Sequence, residues 1–600
     1  MQKLSSNAKS TQASTSLKRS FCLLILSVCL INSLAGQDPF DLPRVMDQDP
    51  EFVELKPKVV FVDQLVHLWI QALRSKDVTL QRRAAESLVI AKQRGINGLE
   101  QSHDVLIELI STSNRSRQSR IAIAKAIVAF DLKQAEKSFI QLAKTTNDFE
   151  LMSVIQPALA GWKTEAAREL WMQNISPECQ EIRSRILAIQ GLAQLGETSI
   201  LDELKTMVTQ ANADYRLRYH SAIAIGKLVN QGLESYADKL AISKQVAERI
   251  LSANVLAKHQ SSRAIQILKK LAADSEPAVA FLGWSVLLNS ETPRVLDPLG
   301  DLGQEHRGPK VRQKLIELLA IWQDQPAIEK LGELLADLHP QVRVSARQTL
   351  LKFAQQDSLK TWVIKAAENA LEGNWQSIQQ GLLILSRLDH KPAAMKLIKL
   401  LDHDRSEVHL TAGWSLEKLS VQQTLEPITR RLETQVTQIK SGDYTSMSKS
   451  RFECMSHLIQ LLGKNRHRAM QEIIIRKLIP KDMNLLEYSI RPAALWSLGQ
   501  IYKGKTLPDD LRELLGQRLL DDDAMNPEDT YVKSMCAYTF AVTNSRTTIE
   551  DIEKYADSNS VNSRLGFYCH WALNQLDGRE IPLVKAFERQ DTNWFLNPIE

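Results

Sequence analysis

In 600 residues the chain carries 75 lysines and arginines against 70 aspartates and glutamates. Four of the basic residues and none of the acidic ones lie in residues 1–35, which leaves 71 against 70 for the remainder. A near-neutral surface has no global field to gather nucleic acid or an anionic membrane, so neither is expected as a partner.

Residues 1–35 read as a signal peptide. Lys3, Lys9, Lys18 and Arg19 form a basic start, and residues 21–31 (FCLLILSVCLI) form an apolar run too short to anchor in a bilayer. Ser33-Leu34-Ala35 supplies small residues for cleavage, while Val28 ahead of Cys29 is a poor fit to a lipoprotein signal. The expectation is export, to the periplasm or beyond, with no stable membrane span in the mature chain. Residues 36–58 are rich in Pro and Asp and read as an extended lead, with the first repeat as the surface for it to pack on. From Val59 the pattern turns helical, and Val62, Leu65, Val66, Trp69 and Leu73 make the apolar face of a capping helix.

Residues 326–354 (PAIEKLGELLADLHPQVRVSARQTLLKFA) hold two short helices. Ile328, Leu331, Leu334 and Leu335 face one way, His339-Pro340 breaks the chain, and Val342, Ala346, Leu350 and Phe353 line the second helix. Arg343 anchors a pattern of apolar or small residues three and seven positions later. The pattern recurs from Arg82 (Ala85, Val89) through Arg120, Met152, Arg185, Arg218, Arg249, Ala280, Arg312, His409, Arg491 and Lys533 to Arg564, with weaker copies near Gln379 and Arg451. Spacings of roughly 30 to 42 residues are those of two-helix repeats, which cannot bury an apolar face except by stacking. The expected fold is therefore all-α. It is a right-handed superhelical solenoid of about fifteen helix pairs over residues 59–577, with 578–600, including Trp594 and Phe595, as a cap or tail. Residues 440–450 (KSGDYTSMSKS) read as a loop insertion, and no segment shows a strand pattern.

The segment Asp337-x4-Val342-Arg343-x2-Ala346-x3-Leu350 resembles the HEAT repeat, and Asp77 through Arg83 and Asp274-x4-Val279 repeat part of it. The resemblance implies an inter-repeat ladder of hydrogen bonds, with Asp77, Arg83, Asp337 and Arg343 among its members; Ala280, Met152 and Gln379 depart from it. It speaks to fold and hardly to chemistry.

Candidates for chemistry are few. Asp402-His403-Asp404 with His409 has the composition of a metal site, yet the aspartates suit a turn and His409 fills the anchor position. Asp521, Asp522, Asp523, Glu528 and Asp529 fail the calcium-loop order at Met525 and read as a solvated acidic turn. Beyond the leader, Cys179, Cys454, Cys536 and Cys569 form no CxxC pair, and Cys454 and Cys536 read as buried small residues; Cys536 and Cys569, in adjacent units, are the pair open to bridging. No phosphate loop, GxSxG or HExxH appears, so no catalytic residue, metal or cofactor is expected. Trp284, Trp414 and Trp496 share one repeat position. Core packing is expected of them, and an aromatic stripe gripping a peptide or glycan is the alternative.

The function expected is a non-enzymatic exported scaffold that binds another protein on an extended concave face. Two alternatives stand beside it. One is a cell-envelope or polysaccharide binder using exposed Trp284, Trp414 and Trp496. The other is an enzyme-assisting or lyase-like protein, since the HEAT-like family includes bilin lyases.

Overall fold

The structure is a computed structural model that describes residues 42–53, 55, 58–60, 64–112, 115–176, 178–210, 212–289, 308–443, 447–468, 471–481, 489–583 and 588–590. The expected signal peptide, Val62, Trp594 and Phe595 lie outside the described residues. Helices follow one another in pairs from Gln64–Arg74 and Val78–Gln93 to Ile549–Ser558 and Arg564–Asp577, and the chain is an all-α, HEAT-like solenoid. Its residues cluster into two compact units, one of residues 56–321 with 586–600 and the other of residues 322–585 with 1–55.

Capping residues set the helix starts. Asp77, Asp148, Asp214, Asp324 and Asp529 each accept a backbone N–H from the helix they precede, as do Ser116, Ser261, Ser448, Ser563 and Asn374. Pro277 and Pro340 sit in the first turn of their helices, where a missing N–H removes no bond. Against expectation there is a strand pair: Lys58–Val60 and Glu588–Gln590 run parallel, with Lys58 opposite Glu588. Strands of three residues are too short to show a period in sequence.

The anchor position has one recurrent task. A helix end leaves carbonyls unpaired, and the turn between paired helices buries them. Arg343 Nη1 donates to the carbonyls of Asp337 and Leu338 at 2.8 and 3.0 Å. Arg249 Nη1 donates to those of Ser243 and Lys244 at 3.0 and 3.2 Å. His409 Nδ1 lies 3.0 Å from the carbonyl of His403, so it carries a proton there. In the first pair Gln81 takes this place, 2.5 Å from the carbonyl of Ser75, with Ala84 and Leu88 fully buried behind it. The sequence register at Arg82 is thus one residue late. Arg83 is not a ladder member either, because it makes no hydrogen bond or ion pair among the described residues, and Asp77 serves as a helix cap.

A ladder between repeats does form, at other residues. Arg218 grips Glu248 of the next pair with two bonds of 2.7 and 2.9 Å, and Arg249 grips Asp274 of the next at 2.6 and 3.0 Å. Asp274 also takes the N–H of Glu276, and Asp337 takes that of His339 in the same way.

Successive second helices pack closely. Ser406–Leu419 lies on Lys449–Lys464, which lies on Ile490–Ile501, then Thr530–Val542, then Arg564–Asp577. Contact is closest at glycine: a Cβ on Gly463 would sit 2.6 Å from Ser497 Cα, and one on Gly413 2.7 Å from Cys454 Sγ. Gly463→Ala must push two backbones apart, and a loss of about 1–3 kcal/mol in unfolding free energy is expected from urea titration. An unchanged midpoint would show that these helices can separate freely.

Candidate functional site: a groove holding the lead segment

The second helices of the last five pairs share an unusual property. In Ile490–Ile501 every residue is buried, and in Thr530–Val542 the run from Val532 to Ala541 is. Stacking in a row of helices covers the flanks and the side toward the first helices. A face left over must be covered by something else.

What covers it is the lead. Residues 42–53 and 55 form a strap across these helices, not on the first repeat as the sequence suggested. Val45–Asp47 makes a single 3-10 turn, and Gln48 and Glu51 bridge to close a turn around Asp49-Pro50. Beginning at its N-terminal end, the N–H of Val45 donates to Glu417 Oε1 at 3.1 Å and the N–H of Met46 to Gln460 Oε1 at 2.9 Å. The Met46 side chain is fully buried. Tyr568 OH donates toward the carbonyls of Met46 and Pro50, at 3.3 and 3.1 Å. Phe52 packs on Phe567 with ring centroids 5.5 Å apart. Asn562 closes the far end by pairing with both the N–H (3.0 Å) and the carbonyl (3.2 Å) of Leu55.

Two aspartates of the strap enter polar pockets. Asp47 accepts from Tyr531 OH and from Arg564 Nη1 (2.8 Å), and from Arg44 of the strap itself at 2.9 Å. Asp49 Oδ2 accepts from Gln500 Nε2 and Tyr538 OH, both at 2.9 Å. The groove residues are fixed from behind. Glu417 bonds His457 Nδ1, with both side chains almost wholly buried. The amide of Gln460 is held by the carbonyl and hydroxyl of Ser456, and Tyr538 stacks on Trp571. Below the groove Arg491 and Glu528 form a fully buried pair with bonds of 2.8 and 3.1 Å.

Burial alone would raise the Asp47 carboxyl, but the Arg44 charge and the hydrogen bonds from Tyr531 and Arg564 outweigh it and hold Asp47 below its usual value. Burial, and then neighbouring carboxylates, push the Tyr531 and Tyr538 hydroxyls up, so both remain donors.

The sequence candidates fall elsewhere. Trp284, Trp414 and Trp496 are all buried, and Trp284 Nε1 donates to the carbonyl of Ala272 at 3.0 Å. They pack between successive helices and offer no exposed stripe, so the glycan reading loses its surface. Asp402 pairs with Arg431 at 2.7 Å, and His409 spends its second nitrogen on Ser450 Oγ at 3.0 Å. Among the described residues no three ligand side chains converge on a metal position. The acidic turn is exposed from Asp522 to Pro527, as expected of a solvated turn, but Asp521 and Asp522 are paired and Glu528 is buried. Asp521 pairs with Lys481, Asp522 with Lys533 and Tyr555, and Glu528 lies in the buried pair with Arg491. Cys536 and Cys569 are buried and unbridged; burial pushes the Cys569 thiol up to about 12 and that of Cys454 likewise to about 12.

Fold and groove together define a HEAT-like α-solenoid with a segment of its own chain bound to it. No family model matches the chain, and no curated protein matches it. Solved structures with a similar course include importin beta in an ammonium sulfate condition, at 12% identity and TM-score 0.46, covering 85% of this chain and 72% of that one. Two more are Kap121p bound to Pho4p and the karyopherin Kap121p bound to the SUMO protease Ulp1p, each at 13% identity and TM-score 0.48. Both cover 86% of this chain, which spans 57% and 56% of theirs.

Two outcomes follow from the site. Arg491→Met leaves Glu528 buried with its main partner gone, and a loss of about 3–5 kcal/mol is expected from thermal or urea unfolding. Adding Glu528→Leu should recover most of that loss. The second concerns pH. The seated Asp47 has a lowered pKa, so its contribution to seating is fully present above the ordinary carboxylate range and is lost as pH falls through the lowered value. Protection factors of the Val45 and Met46 amides should be flat near neutrality and fall in acid. In an Asp47→Asn chain that acid step should be absent.

Proposed function

We propose that this chain is a non-enzymatic scaffold, exported across a membrane, that binds another protein through the groove of its last five helix pairs. The observation that carries the reading is the strap. The groove already holds an extended polypeptide through side chains aimed at main-chain groups: Glu417, Gln460, Tyr568 and Asn562. Such contacts serve any extended segment and are how helical repeats take peptides. The buried acids and bases around it are occupied with one another, Glu417 with His457 and Arg491 with Glu528, which supports binding over proton transfer. Among the described residues no helix is long and apolar enough to cross a membrane. Export rests on the basic start and apolar run of residues 1–31.

The test is a photo-crosslinking residue in place of Phe567, in a full chain whose strap is weakened by Asp47→Asn and Asp49→Asn, expressed in an exporting host. Protein adducts are expected from Phe567 and not from a crosslinker in place of Met525, which is exposed away from the strap contacts. Retention on cell-wall polysaccharide without a protein adduct would overturn the binding reading. For export, a mature N-terminus at Gly36 is expected by mass spectrometry, and a retained Met1 would count against it.

A further inference from the structure

Resting on that reading, we propose that the groove selects an extended acidic segment of a partner protein, with two aspartates two positions apart, and that the strap competes for the same place in cis. The strap displays the chemistry that fits. Its sequence Arg44-Val45-Met46-Asp47-Gln48-Asp49-Pro50-Glu51-Phe52 puts one carboxylate against Arg564 and Tyr531 and a second between Gln500 and Tyr538. Every groove atom that meets an aspartate of the strap is an N–H or O–H donor. A neutral amide side chain in either place would turn N–H groups toward donors. Charge-assisted bonds to a carboxylate are roughly twice as strong as neutral ones, so the two pockets discriminate by charge as well as by shape.

The strap is seated as a ligand more than as a core element. Of its side chains only Met46 is fully buried, while Gln48, Glu51 and Val53 face solvent and Asp47 and Arg564 keep 27% and 35% of their side-chain surface exposed. The supporting pair beneath, Arg491 with Glu528, is by contrast fully buried. The strap carries no interior of its own, so its release uncovers the groove and leaves the helix stack with its own contacts. A tethered segment meets its site at an effective concentration on the order of millimolar. A partner segment of the same chemistry binds weakly while the strap is seated and well once the strap is weakened.

The experiment uses the full chain, unaltered and with Asp47→Asn and Asp49→Asn together. Two fluorescent peptides are titrated into each by anisotropy: one with the sequence of residues 42–55, the other with both aspartates replaced by asparagine. The weakened chain is expected to bind the acidic peptide at least tenfold tighter than the asparagine peptide, and at least tenfold tighter than the unaltered chain does. Added salt should erode the first preference. Equal binding of the two peptides would overturn the acidic selection while leaving a polypeptide-binding groove. Equal binding of the acidic peptide to both chains would overturn the competition. No binding of either peptide to the weakened chain would sink both this inference and the function it rests on. Phe52→Ala loosens the strap at its other end with every groove residue unaltered, and it should give the same gain; this keeps the result readable if the double variant folds poorly.

Discussion

The structure depends on how a short helix pair disposes of the carbonyls in its turn. Two helices of about a dozen residues cannot isolate a core from water, so each pair must lie against the next. That stacking buries the turn between them, and a buried carbonyl without a donor costs roughly 1–3 kcal/mol. The anchor side chain supplies the donor. Arginine serves at Arg249 and Arg343, histidine at His409 and glutamine at Gln81, because the requirement is for an N–H at a given reach and not for a charge. Where the anchor is arginine a spare face of the guanidinium remains, and it can grip a carboxylate of the next pair, as Arg249 does with Asp274. The ladder is thus a by-product of carbonyl capping, which explains why it is discontinuous.

The same constraint leads to the groove. A second helix is covered on its flanks by its neighbours and behind by its own first helix, which leaves one face over. From Ile490 to Ile501 and from Val532 to Ala541 that face is buried too, with Gln500 and Tyr538 set into it. Apolar surface asks for a cover and isolated polar groups ask for partners. A strap with one buried methionine, an aromatic ring and two aspartates answers both demands at once. The acceptors Glu417 and Gln460 read main-chain N–H groups, and the donors at Gln500, Tyr531, Tyr538 and Arg564 read carboxylates, so the groove has a direction and a register as well as an area.

The repeat was legible in the sequence because it is periodic. Small and large apolar positions recur in step with the helix, and Arg343, Ala346 and Leu350 all fall where the pattern puts them. The register is one residue off at the first pair, where Arg82 and Arg83 both suit the anchor by type and Gln81 holds the place. The acidic run at residues 521–529 is solvated over most of its length, but the burial of Glu528 and the ion pairs were not legible, because the partners Lys481, Arg491 and Lys533 come from other turns and helices. The strap was legible as extended, since Pro and Asp deny it a helix, but its seat was not. Its contacts join residues 372 to 522 positions apart, and nothing local encodes them. One signal did exist. The stretches ALWSLGQI and MCAYTFAV carry no charge and place apolar residues on every side of the helix, and in a single-layer stack that demands a third covering element.

Whether such a cover acts as a permanent clasp or as a ligand is decided by concentration and by range. Residues 36–600 are almost neutral, so long-range attraction does not bring acidic segments to the groove. Selectivity is built from short contacts: two carboxylate pockets, one apolar pocket for Met46 and four main-chain readers. Contacts of that kind are made equally well by a tethered segment and a free one, because none of them depends on the covalent link to the rest of the chain. The link changes only how often the segment returns. A groove of this construction therefore holds its own strap by proximity alone, and any change that lowers the strap's share of those contacts hands the same set of donors and acceptors to another extended acidic chain.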